Sequence, residues 1–311
     1  MQFYDSIPTT PFDRETALAI GTFDGVHRGH ASLVERLKGE AAARGLAACV
    51  LTFTDLPYRF FHPEASAKLL TLPPEKRTAF ESLAPDVLWL VQFDEFLAGQ
   101  TAPDFARDIL RDLLRVRLLV CGPDFALGRG REGNVEALRA LGETFGFDVL
   151  VLSEKIAESN EPISSTRIRE GIERGEVEDA ARMLARPYAL KGTVVSGQQL
   201  GRTIGFPTIN IAPHPMKVLP ARGVYAVRAL WTENGVETSH RAALNIGLRP
   251  TVNGTKQQIE FHVLDETIDI PPRDVRVEFI ARLRDEQKFD GLEALAAQLQ
   301  RDILCAADSL S

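Results

Sequence analysis

Residues 17–152 alternate short apolar runs with helix-length amphipathic stretches, and this alternation constrains the fold more than any other feature. Runs at 17–20, 46–53, 87–91, 117–121 and 149–152 predict strands; the stretches at 29–43, 74–84, 103–114 and 133–145 predict helices. Strand, helix and strand in succession build right-handed crossovers, so an α/β doubly wound parallel sheet is expected. Ligands of such sheets bind beyond the carboxyl ends of the strands. Short helices at 164–173 and 177–184 precede a break at Arg186 and Pro187. From Tyr188 the chain is β-rich, with runs at 188–196, 223–231, 240–246, 257–264 and 274–283 and no long helix between them. That spacing predicts a mainly antiparallel β-barrel, closed by a C-terminal helix at 291–306. The expected domains are therefore 1–186 and 187–311, and 311 residues is a length for about two domains.

Charge limits the partners. The chain carries 36 Lys and Arg against 43 Asp and Glu, a net charge of -7, which argues against a broad nucleic-acid or anionic-lipid surface. Residues 1–186 hold 22 basic and 29 acidic side chains and residues 187–311 hold 14 of each, so any polyanion must be met by a few aimed groups. Cys49, Cys121 and Cys305 are odd in number and widely spaced, and read as small core residues instead of disulfide partners or zinc ligands. The first residues lack a signal-peptide pattern, and no apolar run approaches the roughly 20 residues that span a bilayer. A cytoplasmic protein is expected; its oligomeric state is not legible.

The turn after the first strand holds Gly21, Phe23, Asp24, Gly25, His27, Gly29 and His30. Glycines let the backbone approach a ligand, the following helix offers unpaired N–H groups, and two imidazoles three residues apart can donate to one phosphate chain. A glycine-rich turn with incidental histidines is the alternative, disfavoured by the position after strand one. Further on, Ser164, Ser165 and Thr166 suit a helix cap. Arg167 and Arg169 oppose the dipole of that first helical turn, a conflict that a bound anion removes and solvent would merely screen. Asp124 lies in a glycine-flanked loop after the fourth strand, again at a strand carboxyl end.

In the second half, Gly201 and Gly205 bracket a loop able to close over phosphates, and Thr208 and Asn210 sit two apart on an extended run, facing the same way. Hydroxyl and amide oxygens suit a hard cation such as Mg²⁺; an edge strand entered through Pro207 is the alternative. Glu260 and His262 share the polar face of the strand 257–264. Glu260 is either a solvated surface group or, in a site, a base for an attacking hydroxyl.

Taken together, these segments resemble the bacterial bifunctional riboflavin kinase/FAD synthetase family, whose first domain shares the nucleotidyltransferase motif with adenylyltransferases and class I aminoacyl-tRNA synthetases. Segments around Lys76 and Arg77, 91–94, 222–225, 245–251 and 283–290 extend the resemblance over nearly all of 16–302. It implies a nucleotidyltransferase-like sheet domain in which His27 and His30 stabilise the α-phosphoryl transition state. Gly21, Phe23, Asp24, Gly25, Gly29, Ser164, Ser165, Thr166 and Arg167 would then bind ATP. In the same sheet domain Asp124 would face the nucleotide or flavin, and the resemblance further implies a riboflavin kinase domain with Gly201, Gly205, Thr208 and Asn210 on Mg-ATP, Glu260 as base and Arg284 on the flavin. Riboflavin, FMN and ATP are the implied partners, with FMN and FAD as products. Three positions depart from the family's usual residues: Leu56 stands for a histidine, Leu127 for an aromatic and Ile209 for alanine. A flavin- or nucleotide-binding regulator that has lost one or both activities is the alternative function.

Overall fold

The computed structural model describes residues 1–311 except Ala65, Glu154, Lys155, 198–204, Asn234, Val252, Asn253 and Asp269, and except the side chains of 249–251 and 254–256. The chain divides into two compact units, Met1–Ser165 and Thr166–Ser311.

The first unit is built on a six-stranded sheet in the order β1 (Gln2–Tyr4), β4 (Val87–Val91), β3 (Ala47–Phe53), β2 (Thr16–Ile20), β5 (Val116–Cys121), β6 (Asp148–Val151). Every pairing is parallel. All five residues of β2 and all five of β4 are buried, as expected of strands covered on both faces. Side chains alternate between two cores: Leu18 and Ile20 enter one, Ala17 and Ala19 the other. Helices α1 (Arg28–Arg44) and α3 (Pro73–Leu83) cover the sheet. Two further short helices are α2 (Pro57–Phe61) and α4 (Glu95–Gly99). A short α5 (Ala102–Asp104) runs into a π-helical stretch, Phe105–Leu113, and α6 (Val135–Phe145) precedes β6. After β4 the chain crosses β2 to reach β5, so strand order reverses beside β2 and opens a crevice at its carboxyl end. A hairpin of β7 (Ala157–Glu158) and β8 (Glu161–Pro162) ends the unit.

The second unit holds most of α7 (Ser165–Arg174) and all of α8 (Val177–Leu184), then a closed six-stranded barrel. The barrel strands are β9 (Tyr188–Val195), β10 (Ile209–Pro213), β11 (Gly223–Glu233), β12 (Val236–Thr251), β13 (Gly254–Val263) and β14 (Asp274–Arg284). All pairings are antiparallel, with Tyr225, Phe261 and Phe279 fully buried. The last helix, α9 (Leu292–Ser309), packs Ala306 and Leu310 against Ala226.

Cys49 and Cys121 are buried strand residues as expected, whereas Cys305 is exposed. It lies on the outer face of α9, where an amphipathic helix leaves half its surface to solvent.

Candidate active site

The turn after β2 is strained in a way that ordinary turns are not. Phe23 (φ 46°), Gly25 (φ 83°) and Val26 (φ 41°) all adopt left-handed backbone, and a β-branched residue there is an outlier. Side chains hold the shape. Phe23 is buried edge-to-face against Phe80 (5.6 Å) and His30 (5.0 Å). Asp24, expected on the phosphate side, turns its buried carboxylate to the Leu70 and Thr71 N–H groups (3.0 Å) and the Thr71 hydroxyl (3.2 Å). The same hydroxyl accepts from the Gly25 N–H at 3.0 Å. On the other side, Lys76 Nζ donates to the carbonyls of Thr22 (2.8 Å) and Phe53 (2.7 Å).

His27 caps α1, and its ring stacks on that of His30 at 3.6 Å. The His27 N–H donates to His30 Nδ1 (3.3 Å) and the His30 N–H to His27 Nδ1 (3.4 Å). A backbone N–H can only donate, so both Nδ1 atoms are acceptors and each neutral ring carries its proton on Nε2. Burial, with His27 and Lys76 close by, holds His30 well below the usual histidine value. The pair is thus two neutral donors at a helix N-terminus. Gly29 lies against the His27 ring, where a Cβ would stand 3.2 Å from it. Ser165 Oγ donates to the Asp24 carbonyl at 2.8 Å, bringing the end of the 164–165 segment onto the turn. Thr166 and Arg167 follow on α7, in the second unit. Asp124 is exposed in the loop after β5, and its carbonyl accepts from Arg131 at 2.9 Å.

An aromatic cluster that sequence reasoning missed stands at the carboxyl ends of β3 and β4. The Phe93 ring meets Phe53 (5.4 Å), Phe60 (5.5 Å) and Phe61 (5.8 Å), and Phe60 and Phe61 are exposed. The signal was the run Tyr58, Arg59, Phe60, Phe61 on a solvated segment, directly after the departure at Leu56, which caps α2 without a side-chain hydrogen bond.

In the barrel, register brings Asn210 opposite Glu260 across β10 and β13. The Thr208 hydroxyl donates to Glu260 Oε2 (3.1 Å); Gln258 Nε2 donates to Asn210 Oδ1 (2.6 Å) and approaches Glu260 Oε2 (3.4 Å). Gln258 is therefore a fourth member, missed because a glutamine two before Glu260 looks like another solvated strand residue. Gly197 makes room: a Cβ there would lie 2.1 Å from the Asn210 amide. His262 packs edge-to-face on Phe206, and its ring Nδ1 lies 2.8 Å from the Pro207 carbonyl, as a donor. Gly205 takes positive φ (87°); Gly201 lies outside the described residues.

Thr208, Gln258, Glu260 and His262 line a cavity of about 270 Å³ whose far wall is Arg284 and α9. Arg284 forms a bidentate pair with Asp302 (2.8 and 2.6 Å), and Gln298 donates to the same carboxylate at 2.8 Å. Asp302 side-chain exposure is 5%. Breaking a buried pair strands its partner charge. Asp302→Ala is expected to cost about 3 kcal/mol, the low end for a broken buried pair because Arg284 also donates to the Asp285 carbonyl. A denaturant melt of the whole chain measures it. No cluster of three His, Cys, Asp or Glu side chains suited to a metal occurs among the described residues.

A doubly wound sheet with a strained, histidine-bearing turn at its switch point, joined to a barrel with an acid-lined cavity, defines a two-domain nucleotide-handling transferase. Residues 9–167 match the family model for FAD synthetase and residues 184–310 that for riboflavin kinase. The bifunctional riboflavin kinase/FMN adenylyltransferase of Escherichia coli strain K12 is 39% identical over 291 residues, covering 94% of this chain and 91% of that protein. The protein of the same name from Bacillus subtilis strain 168 is 32% identical, over 93% and 90%. A crystal structure described as a macrolide-efflux protein from Streptococcus pneumoniae superposes with a TM-score of 0.87 at 27% identity, over 99% of each chain. The chain belongs to the bifunctional riboflavin kinase/FMN adenylyltransferase family. Among the described residues, no helix is long and apolar enough to cross a membrane.

Proposed function

We propose that this chain makes both flavin nucleotides in the cytoplasm, residues 187–311 phosphorylating riboflavin to FMN and residues 1–186 adenylylating FMN to FAD. The observation that carries the kinase half is the linked set Thr208, Glu260 and Gln258 on one wall of a cavity, with Asn210 accepting from Gln258. Glu260 takes the proton of the ribityl 5′-hydroxyl as its oxygen attacks the γ-phosphorus of ATP; the bond to ADP breaks and FMN forms. Thr208 and Asn210 would hold Mg²⁺, and their neutral hydroxyl and amide oxygens fit a cation that takes its remaining ligands from water and phosphate. Bound there, Mg²⁺ would neutralise phosphate charge. Gly201 and Gly205 would flank the phosphates, and Arg284 with α9 would wall the flavin.

In the sheet domain, a phosphate oxygen of FMN attacks the α-phosphorus of a second ATP and pyrophosphate leaves. The Nε2–H donors of His27 and His30 would meet the charge that develops on the α-phosphoryl oxygens. Gly21, Gly25 and Gly29 would admit the phosphates, with Phe23 and Asp24 shaping the turn, and Ser164, Ser165, Thr166 and Arg167 would bind ATP from the start of α7. Phe60, Phe61 and Phe93 offer the flavin ring an aromatic face, and Asp124 would face the nucleotide or flavin. Neither transfer needs a covalent enzyme intermediate.

The test is incubation of the purified chain with riboflavin, ATP and Mg²⁺, with chromatographic separation of the flavins. FMN is expected first and FAD next; a binder without turnover would yield neither.

A further inference from the structure

Among the described residues, Lys76 is the one charged side chain in the sheet core with no exposed surface at all. Its hydrogen-bond partners are two neutral carbonyls, Thr22 in the turn and Phe53 at the end of β3. Among the described residues, no carboxylate lies within 4.0 Å of its ammonium. The acidic groups that face it from the turn and from beyond β3 are Asp24 and Asp55, and both act only at longer range. Asp24 is already committed to Leu70 and Thr71. Glu75, on the same helix, accepts from the Leu72 N–H at 2.9 Å. From α1 the facing group is His30, itself held neutral. A buried ammonium without a counter-ion is expensive, and a fold does not keep one for stability alone. The cost is visible: burial pulls Lys76 down from the usual lysine value to about 8.

The missing negative charge is what a triphosphate on this turn would bring. We propose that Lys76 is a positioning residue for adenylyl transfer: it pins the turn through the Thr22 carbonyl and sets a fixed positive charge beneath the place where ATP phosphates bind. It acts through the turn and through space, without touching the substrate. The inference rests on the adenylyltransferase reading above.

The sign of its pH dependence follows. The useful form is the ammonium, which in the free enzyme is lost as pH rises through about 8. kcat/KM for ATP in FAD formation from supplied FMN should then fall above that pH, approaching tenfold per unit. Lys76→Arg, charged throughout this range, should flatten that fall. Lys76→Met should lower kcat/KM about a hundredfold at pH 7, as loss of one electrostatic contributor does. FMN formation from riboflavin, measured on the same samples, should not change, and a thermal melt of each variant reports that the sheet domain is folded. A flat profile for the unsubstituted chain between pH 7 and 9.5 would overturn the proposal and needs no variant. An alkaline fall that persists unchanged in Lys76→Arg, or Lys76→Met within threefold of the unsubstituted chain, also overturns it. A chain that forms no FAD at any pH refutes the adenylyltransferase reading itself, and this inference with it.

Discussion

Glu260→Gln is expected to reduce FMN formation by about a hundred- to ten-thousand-fold while leaving FAD formation from supplied FMN unchanged. Glutamine keeps the size and one oxygen of the glutamate, so the Thr208 hydroxyl and the Gln258 amide retain an acceptor at the same place. What disappears is the capacity to take a proton. Packing should hardly respond, because Glu260 sits on the cavity side of β13 while its neighbours Ile259 and Phe261 fill the barrel core. The loss should therefore fall on kcat, with the KM values for riboflavin and ATP changing little. Steady-state FMN production by the purified variant decides it. A rate near that of the unsubstituted chain would remove Glu260 as the base and leave it as a structural acceptor for Thr208.

His30→Ala is expected to do the converse: FAD formation drops by about a hundred- to a thousand-fold, the scale for removing one donor to a charged transition state, and FMN formation survives. The substitution also removes the acceptor of the His27 N–H, while the residue-30 N–H can still donate to His27 Nδ1, so the N-terminus of α1 loses one hydrogen bond, about 1 kcal/mol. That cost is too small to unfold the unit, which a thermal melt of the same sample checks. The pH behaviour separates the two effects. Folded His30 resists protonation, while the unfolded chain takes a proton near the ordinary value of 6.5, so stability is present above that pH and is lost as pH falls below it. In His30→Ala this part of the acid sensitivity should vanish from melts recorded between pH 7 and 5. A variant that still forms FAD at near the original rate would contradict the assignment.

Much of this architecture was legible because the chain repeats simple periods. Residues 87–91 could be read as a buried parallel strand from apolar continuity alone, and Val87–Val91 is the strand found. The helix after the phosphate turn was legible from its amphipathic pattern and the glycine at its end, and spans Arg28–Arg44. β1 was not legible: three residues pair with β4, more than eighty positions away, and no local pattern marks such a partner. The hairpin β7 and β8 escaped for the same reason, its turn residues Ser159 and Asn160 being left-handed without glycine. Within the candidate sites, type and spacing singled out His27 and His30, while Thr208, Asn210 and Glu260 stood out from a bland strand reading only with the family resemblance. Gln258, Asp302 and the aromatic cluster did not, since each matters only for what lies across a strand pair or against a helix.

Asp24 and Lys76 mark the division best. By sequence alone, periodicity and punctuation pointed to two domains and to a glycine-rich turn at a strand end, and the family resemblance marked which imidazoles, hydroxyls and carboxylates are candidates for chemistry. Those are properties of local order along the chain. Only the tertiary structure decided that the Asp24 carboxylate faces Leu70 and Thr71, and that the Lys76 ammonium lies under the turn with carbonyls for company. Where a charge is buried and what faces it depend on residues tens of positions apart, and electrostatic cost is set by that surrounding, which no spacing rule encodes.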